Sequence, residues 1–283
     1  MSSFYGADVV ARVHDEGYAE LVEHAAAFVL GSMRARPRTS RPSPSFAQRV
    51  SRRGAVGALG LLMGAVLAAA CSDDGSLGFD YDFARGPSGW VEGFADYPSG
   101  QDAFYMLVAD YRALEPPLDT SRSALYIAGT NRSDDLWMYY KTQVFLPADS
   151  TFRVRFDVEI ATDVPSGCFG VGGSPGEGVT VKAGVSVIEP DRELDAAGFW
   201  RMNIDKGQQT QGGEDVVVIG DLANSRPCEL GPEWELKRLG GGGSMMLTTD
   251  STGRAWLFVG TDSGFEARSA VYYTRFRAVF DRM

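Results

Sequence analysis

Side chains from Phe152 to Ile160 alternate without a break. Phe152, Val154, Phe156, Val158 and Ile160 are apolar, and Arg153, Arg155, Asp157 and Glu159 between them are charged. A strand turns successive side chains to opposite faces, so this spacing specifies a half-buried strand; a helix would scatter the apolar positions around its axis. The pattern recurs as Tyr272, Thr274, Phe276, Ala278 and Phe280 against Arg275 and Arg277, and as Ala255, Leu257 and Val259 within 254–260. Further strands are expected at 78–83, 104–109, 124–128, 137–145, 179–187, 199–204, 215–219, 233–239 and 244–248, with Asn, Asp, Gly and Pro clusters between them. Residues 78–283 hold no long amphipathic helical pattern. Many short strands with frequent turns predict an all-β fold: a single jelly-roll-like β-sandwich over residues 78–283.

The region before residue 78 has a different character. Residues 54–70 hold no charge, follow Arg52-Arg53 and end in Ala68-Ala69-Ala70-Cys71. The run is too short and too rich in Ala and Gly for a permanent membrane span, which needs roughly 20 strongly apolar residues. It resembles a bacterial export signal ending at a lipobox, in which a small residue precedes a cysteine that receives a lipid. Cys71 is then the lipidated residue, and Ser72-Asp73-Asp74-Gly75-Ser76 opens a tether over 71–77. Ala68-Ala69-Ala70 also satisfies the cleavage rule of the ordinary signal peptidase, which would release the protein instead. Met33 starts a segment with seven arginines and no acid before the apolar run. Residues 33–70 therefore read as the signal peptide, and 1–32 as a mis-started or non-native extension. The expected location is the bacterial cell envelope, lipid-anchored to membrane, with the domain outside the cytoplasm.

Composition narrows the function. Both histidines, His14 and His24, precede the cleavage point. A domain without histidine cannot build a Ser-His-Asp triad, a Cys-His dyad or a His-ligated zinc, and carboxylate-pair glycosidase chemistry is what survives. Residues 71–283 keep 19 basic and 32 acidic side chains, an acidic balance that disfavours nucleic acid and suits neutral glycans or divalent cations. Gly170–Gly178 lacks the Gly-Lys-Ser/Thr of a phosphate loop and has Pro175 where a dinucleotide loop needs glycine, so no nucleotide is expected. Cys168 and Cys228 remain as an even pair outside the cytoplasm and are expected to form a disulfide.

The opening strand Asp80-Tyr81-Asp82-Phe83, the pair Gly89-Trp90, the segment Phe152-Arg153-Val154-Arg155-Phe156 and the closing strand 271–276 together resemble the carbohydrate-binding-module and galactose-binding-like jelly rolls of exported bacterial proteins. That resemblance implies glycan binding. It also implies a structural calcium held by an acid on the last strand, where this chain has Thr274.

Three groups of residues stand out as a candidate site. Trp137 and Tyr139 share one face of their strand; if Met138 and Tyr140 are core, the first two form an exposed platform for sugar rings. Asn203 and Asp205 share the polar face of another strand. Asp262 and Glu266 sit in what reads as a strand-end turn. If these loops converge, Asn203, Asp205, Asp262 and Glu266 would make a site for sugar hydroxyls or for a cation, with Asp205, Asp262 and Glu266 the ligands of calcium, the one cofactor expected, and Trp137 and Tyr139 a separate stacking surface. The leading expectation is a monomeric, non-catalytic lipoprotein that binds a glycan or an envelope partner. A carboxylate-based glycan hydrolase or lyase and a structural envelope protein without small ligand are the alternatives.

Overall fold

The computed structural model describes residues 70–71, 76–240 and 245–283. The signal segment, the extension before it and most of the tether lie outside the described residues. In chain order the strands are β1 (Ala70–Cys71), β2 (Ser76–Asp82), β3 (Val91–Ala95), β4 (Tyr97–Pro98), β5 (Val108–Ala113), β6 (Ser123–Thr130), β7 (Leu136–Phe145), β8 (Thr151–Thr162), β9 (Val179–Ser186), β10 (Arg192–Leu194), β11 (Phe199–Met202), β12 (Val216–Asp221), β13 (Glu235–Gly240), β14 (Met245–Thr248), β15 (Arg254–Ser263) and β16 (Arg268–Arg282). The helical content among the described residues is two single 3-10 turns, Phe83–Arg85 and Cys228–Leu230. The fold is an all-β sandwich, as the alternation predicts.

Strand β16 is the spine of an eight-stranded antiparallel sheet. Its first half pairs with β6 and its second half with β2, β8 runs along its other side, and β13 and β14 continue beyond β8. The opposing five-stranded sheet runs β12-β9-β15-β7-β3. Inward rows from both sheets, among them Phe152, Val154, Phe156, Met138, Tyr140, Val181, Leu257, Phe276 and Phe280, form one buried core. Trp90 enters it from the loop before β3, with its ring edge-on to Tyr81 and Phe83.

The alternation along β16 is not continuous. The pairing of β16 with β8 slips between Tyr273 and Arg275, which is a β-bulge at Thr274. The extra residue reverses the inward set upstream of it: Val271 and Tyr273 join Phe276, Ala278 and Phe280 in the core, while Tyr272 turns to the outer face. The buried Thr274 Oγ1 donates to the backbone oxygen and to Oε1 of Glu159, both at 3.0 Å, so it fastens the bulge to β8. Tyr272 packs with Leu114, Tyr126, Ala128 and Ala161 in a satellite cluster that covers one half of the eight-stranded sheet's outer face.

A small third sheet, β10-β11-β4, and the segment leading from it to β12 lie over the outer face of the five-stranded sheet. Ile204 of that segment packs in one cluster with Trp137, Tyr139 and Phe258, joined by Ala95 of β3 and Val216 of β12 at the edges of the five-stranded sheet. The rings of Tyr139, Trp137 and Phe258 rest close against Gly93, Gly260 and Gly184, where no Cβ stands in the way. Cys168 and Cys228 are bonded, with Cα atoms 5.1 Å apart, and tie the β8–β9 loop to the turn before β13. The expected bridge therefore forms.

Candidate functional site

The residues expected to form the site are separated by the fold. Trp137 and Tyr139 are fully buried rather than exposed. Their face of β7 does point away from the main core, as the alternation requires, but the small sheet covers it. Two large rings left in water would forgo about 1.5–3 kcal/mol of burial each, which is the physical reason a covering segment is favoured there. The aromatic platform is therefore not formed by these residues.

Asp262 lies at a strand end, as the second-last residue of β15, but is fully buried. Lys182 Nζ donates to its Oδ2 at 2.7 Å, and Lys206 Nζ does so at 2.9 Å. Asp205 is exposed and uses its carboxylate on its own loop, accepting from the backbone N–H of Gly207 and of Glu214, each at 2.9 Å. Those bonds hold its pKa below the usual carboxylate value. Asn203 likewise serves the backbone, accepting from Asp191 N–H at 2.8 Å and donating to Glu189 O at 2.9 Å. Glu266 is exposed in the β15–β16 hairpin. Among the described residues no three acids, histidines or cysteines are grouped to hold a metal, so Asp205, Asp262 and Glu266 do not form the expected calcium cluster. Asp262 is instead neutralised by ammonium groups.

Lys182 and Lys206 were not singled out in the sequence. Lys182 is the one charged residue of β9, whose every position is buried, and that mismatch is the signal that could have exposed it. Lys206 also meets Asp96 Oδ2 at 3.0 Å and Asp135 Oδ2 at 3.9 Å, and Asp96 in turn binds Arg201 at 3.0 Å. Burial and the neighbouring Asp262 raise the Asp135 pKa to about 8. With Asp135 protonated, the two lysines balance Asp96 and Asp262. A buried network of this kind gains little stability beyond an apolar replacement, because desolvation offsets the Coulomb attraction.

The solvent-accessible site is on the other sheet. Where the satellite cluster ends, the outer face carries two charged rows set by strand register. Asp82, Arg275, Glu159 and Arg238 cross β2, β16, β8 and β13, and beside them run Asp80, Arg277 and Asp157, ending at Gly240. A cavity of about 490 Å³ is lined by Asp80, Tyr81, Asp82, Arg85, Ser88 and Arg275. A second, of about 150 Å³, is lined by Asp157, Glu159, Arg238, Arg275 and Arg277. Arg275 lines both, so the two cavities adjoin at its side chain along a grooved polar face that crosses β2, β16, β8 and β13. The larger volume falls in the range of small-molecule sites, about 300–1,000 Å³.

Arg275 grips Asp80 with two hydrogen bonds, at 2.8 and 2.5 Å. The guanidinium holds the Asp80 carboxyl below its ordinary range, and Asp80 raises the Arg275 pKa in return. Arg277 makes no ion pair among the described residues, so its donors face the groove unclaimed. The carboxyls raised by burial, Asp135 and Asp163, do not line this groove. Trp234 is half-exposed on the same sheet face, edge-on to Tyr272 at 5.0 Å, and no sequence pattern marks it.

No family model matches the chain, and no curated protein matches it. Among solved structures it is similar to the CBM22-1 xylan-binding domain of Paenibacillus barcinonensis Xyn10C, with 11% identity, 71% of this chain and 92% of that one covered, and a TM-score of 0.34. It is similar to TmCBM61 in complex with beta-1,4-galactotriose, with 14% identity, coverage of 70% and 90%, and a TM-score of 0.30. It is also similar to the K1 cleaved adhesin domain of Lys-gingipain from Porphyromonas gingivalis W83, with 11% identity, coverage of 71% and 96%, and a TM-score of 0.33. What those proteins bind is a property of theirs.

Proposed function

We propose that this chain is an exported lipoprotein whose sandwich binds a neutral glycan without cleaving it. The observation that carries the reading is the groove shared around Arg275. Its walls are carboxylates and guanidinium groups in alternation, fixed on strands rather than on loops. Such a row offers acceptors and donors side by side, which suits adjacent sugar hydroxyls that both give and take hydrogen bonds. Asp80, Asp82, Asp157 and Glu159 balance Arg85, Arg238, Arg275 and Arg277, so the groove has no net charge to attract an ionic ligand. Cys71, following an apolar segment and small residues, supplies the anchor in this reading. A glycan array probed with the purified full chain tests it. Signal on neutral oligosaccharides, lost in Arg275→Ala, is the expected result; no signal on any glycan rejects the reading.

A second reading, docking to a protein of the envelope, is favoured by Phe169, Val171 and Leu230, which stand exposed around the disulfide. Phe169→Asp would abolish that contact and leave glycan binding intact.

A further inference from the structure

We propose that Lys182 and Asp262 become joined through their side chains by an amide bond, which the folded protein forms itself with loss of one water. The two residues sit on adjacent strands: Lys182 is opposite Gly260, and Asp262 is opposite Thr180. They are therefore diagonal neighbours on one face, with both side chains wholly excluded from solvent and Nζ 2.7 Å from Oδ2. Holding two reactants in this way replaces a bimolecular encounter with an intramolecular one. Trp137, Ile204 and Phe258 close the site, and the Trp137 ring lies 6.0 Å from Lys182 Nζ and 5.6 Å from Lys206 Nζ.

The neighbours supply the chemistry. Asp262 Oδ1 and Asp135 Oδ1 are both buried and have no hydrogen-bond partner, and Asp262 is among the groups that raise the Asp135 pKa; one proton held between the two carboxyls would satisfy both oxygens. Desolvation lowers the Lys182 pKa, which favours its amine form. Lys206, facing Asp262, Asp96 and Asp135, has its pKa raised and stays charged, so it is the cation beside Oδ2 rather than the nucleophile.

The ammonium of Lys182 first passes a proton to the carboxyl pair. Its nitrogen then attacks Cγ of Asp262, and the C–N bond forms. Negative charge on Oδ2 is held by Lys206, 2.9 Å away. Asp135 gives a proton to Oδ1 and regains one from the nitrogen, the C–Oδ1 bond breaks, and water leaves. An ammonium and a carboxylate thus become an amide and a water, with no net proton or electron exchanged and Asp135 restored as the acid. The product removes two charges from a desolvated site, where each is expensive to hold.

The test is peptide mapping by tandem mass spectrometry of the purified full chain, digested after denaturation and reduction, with near-ultraviolet circular dichroism showing that each sample was folded. The expected result is a branched peptide linking Lys182 to Asp262, lighter by one water than its two linear parts. Asp135→Asn keeps the shape of the side chain and should slow the appearance of the link after refolding by about 100-fold or more. Linear peptides at both positions in folded wild-type protein overturn the proposal, as does a link made through Lys206. Equal linking in Asp135→Asn overturns the role given to Asp135.

Discussion

Replacing Gly260 by alanine tests how the outer face of the five-stranded sheet is built. A Cβ at this position would stand 2.7 Å from Met138 O and 2.7 Å from Trp137 Cζ2. Neither neighbour can swing aside: one is strand backbone, and the other is a fully buried ring held beneath Ile204 and Met202. Overpacking a well-filled site costs about 1–3 kcal/mol, and the loss of chain freedom in the unfolded state on adding a methyl returns about 0.4–1 kcal/mol. The net is a destabilisation of about 1–2 kcal/mol, which for a domain of this size lowers the melting temperature by about 2–8 °C. Gly78 is the matched control, since it too lies in a strand but a Cβ there meets nothing within 4 Å. Gly78→Ala should leave the melting temperature unchanged or raise it by up to about 4 °C. Thermal unfolding followed by circular dichroism measures both. If the two variants melt within about a degree of each other, Trp137 is not seated on Gly260 and this face of the sheet is not closely covered.

Three further outcomes are expected. Changing both Cys168 and Cys228 to serine opens a loop with a sequence separation of 60, and chain entropy puts the loss at about 4 kcal/mol, read as a lower denaturation midpoint. In protein whose Lys182 and Asp262 side chains are still unlinked, stability should fall as pH rises from the ordinary Asp135 value of 3.8 towards about 8, because over that window the folded state binds a proton that the unfolded chain releases; urea midpoints at the two ends of the window show it, and Asp135→Asn, with Asp262, Lys206 and Asp96 still around it, should flatten the slope. Cys71→Ser should move the protein from the membrane fraction to the soluble fraction, and unchanged membrane association would reject lipidation.

The main strands were legible because one face of each is wet and the other dry. The run Phe152–Ile160 shows this most clearly: its inward row is core and its outward row supplies Asp157 and Glu159 to the groove. Strands that break the alternation were not legible. Gly93 interrupts β3, and β4 and β10 are too short to show a period. The apolar residues at 104–107 suggest a strand but form a turn, with Met106 at φ 51°, before β5 begins at Val108. The bulge at Thr274 is a matter of pairing, so no one-dimensional pattern shows that Tyr272 leaves the core. The site failed for a related reason. Polarity along Thr261-Asp262-Ser263 reads as a turn until Lys182 and Lys206, 80 and 56 positions away, are known to face Asp262. The groove was present in the sequence only as outward charges on β2, β8 and β16, and their neighbourhood depends on strand order.

The most direct test of the glycan reading is isothermal titration of the full chain with the neutral oligosaccharide that gives the strongest array signal, alongside Arg275→Ala and Arg277→Ala. Both arginines are on exposed strand positions, so both variants should keep the wild-type fold. The wild type should bind saturably, and each variant at least about tenfold more weakly, as expected when a charged hydrogen-bond partner worth about 1.5–3 kcal/mol is removed. Binding that is equally strong in both variants would contradict this reading and place the glycan elsewhere on the sandwich.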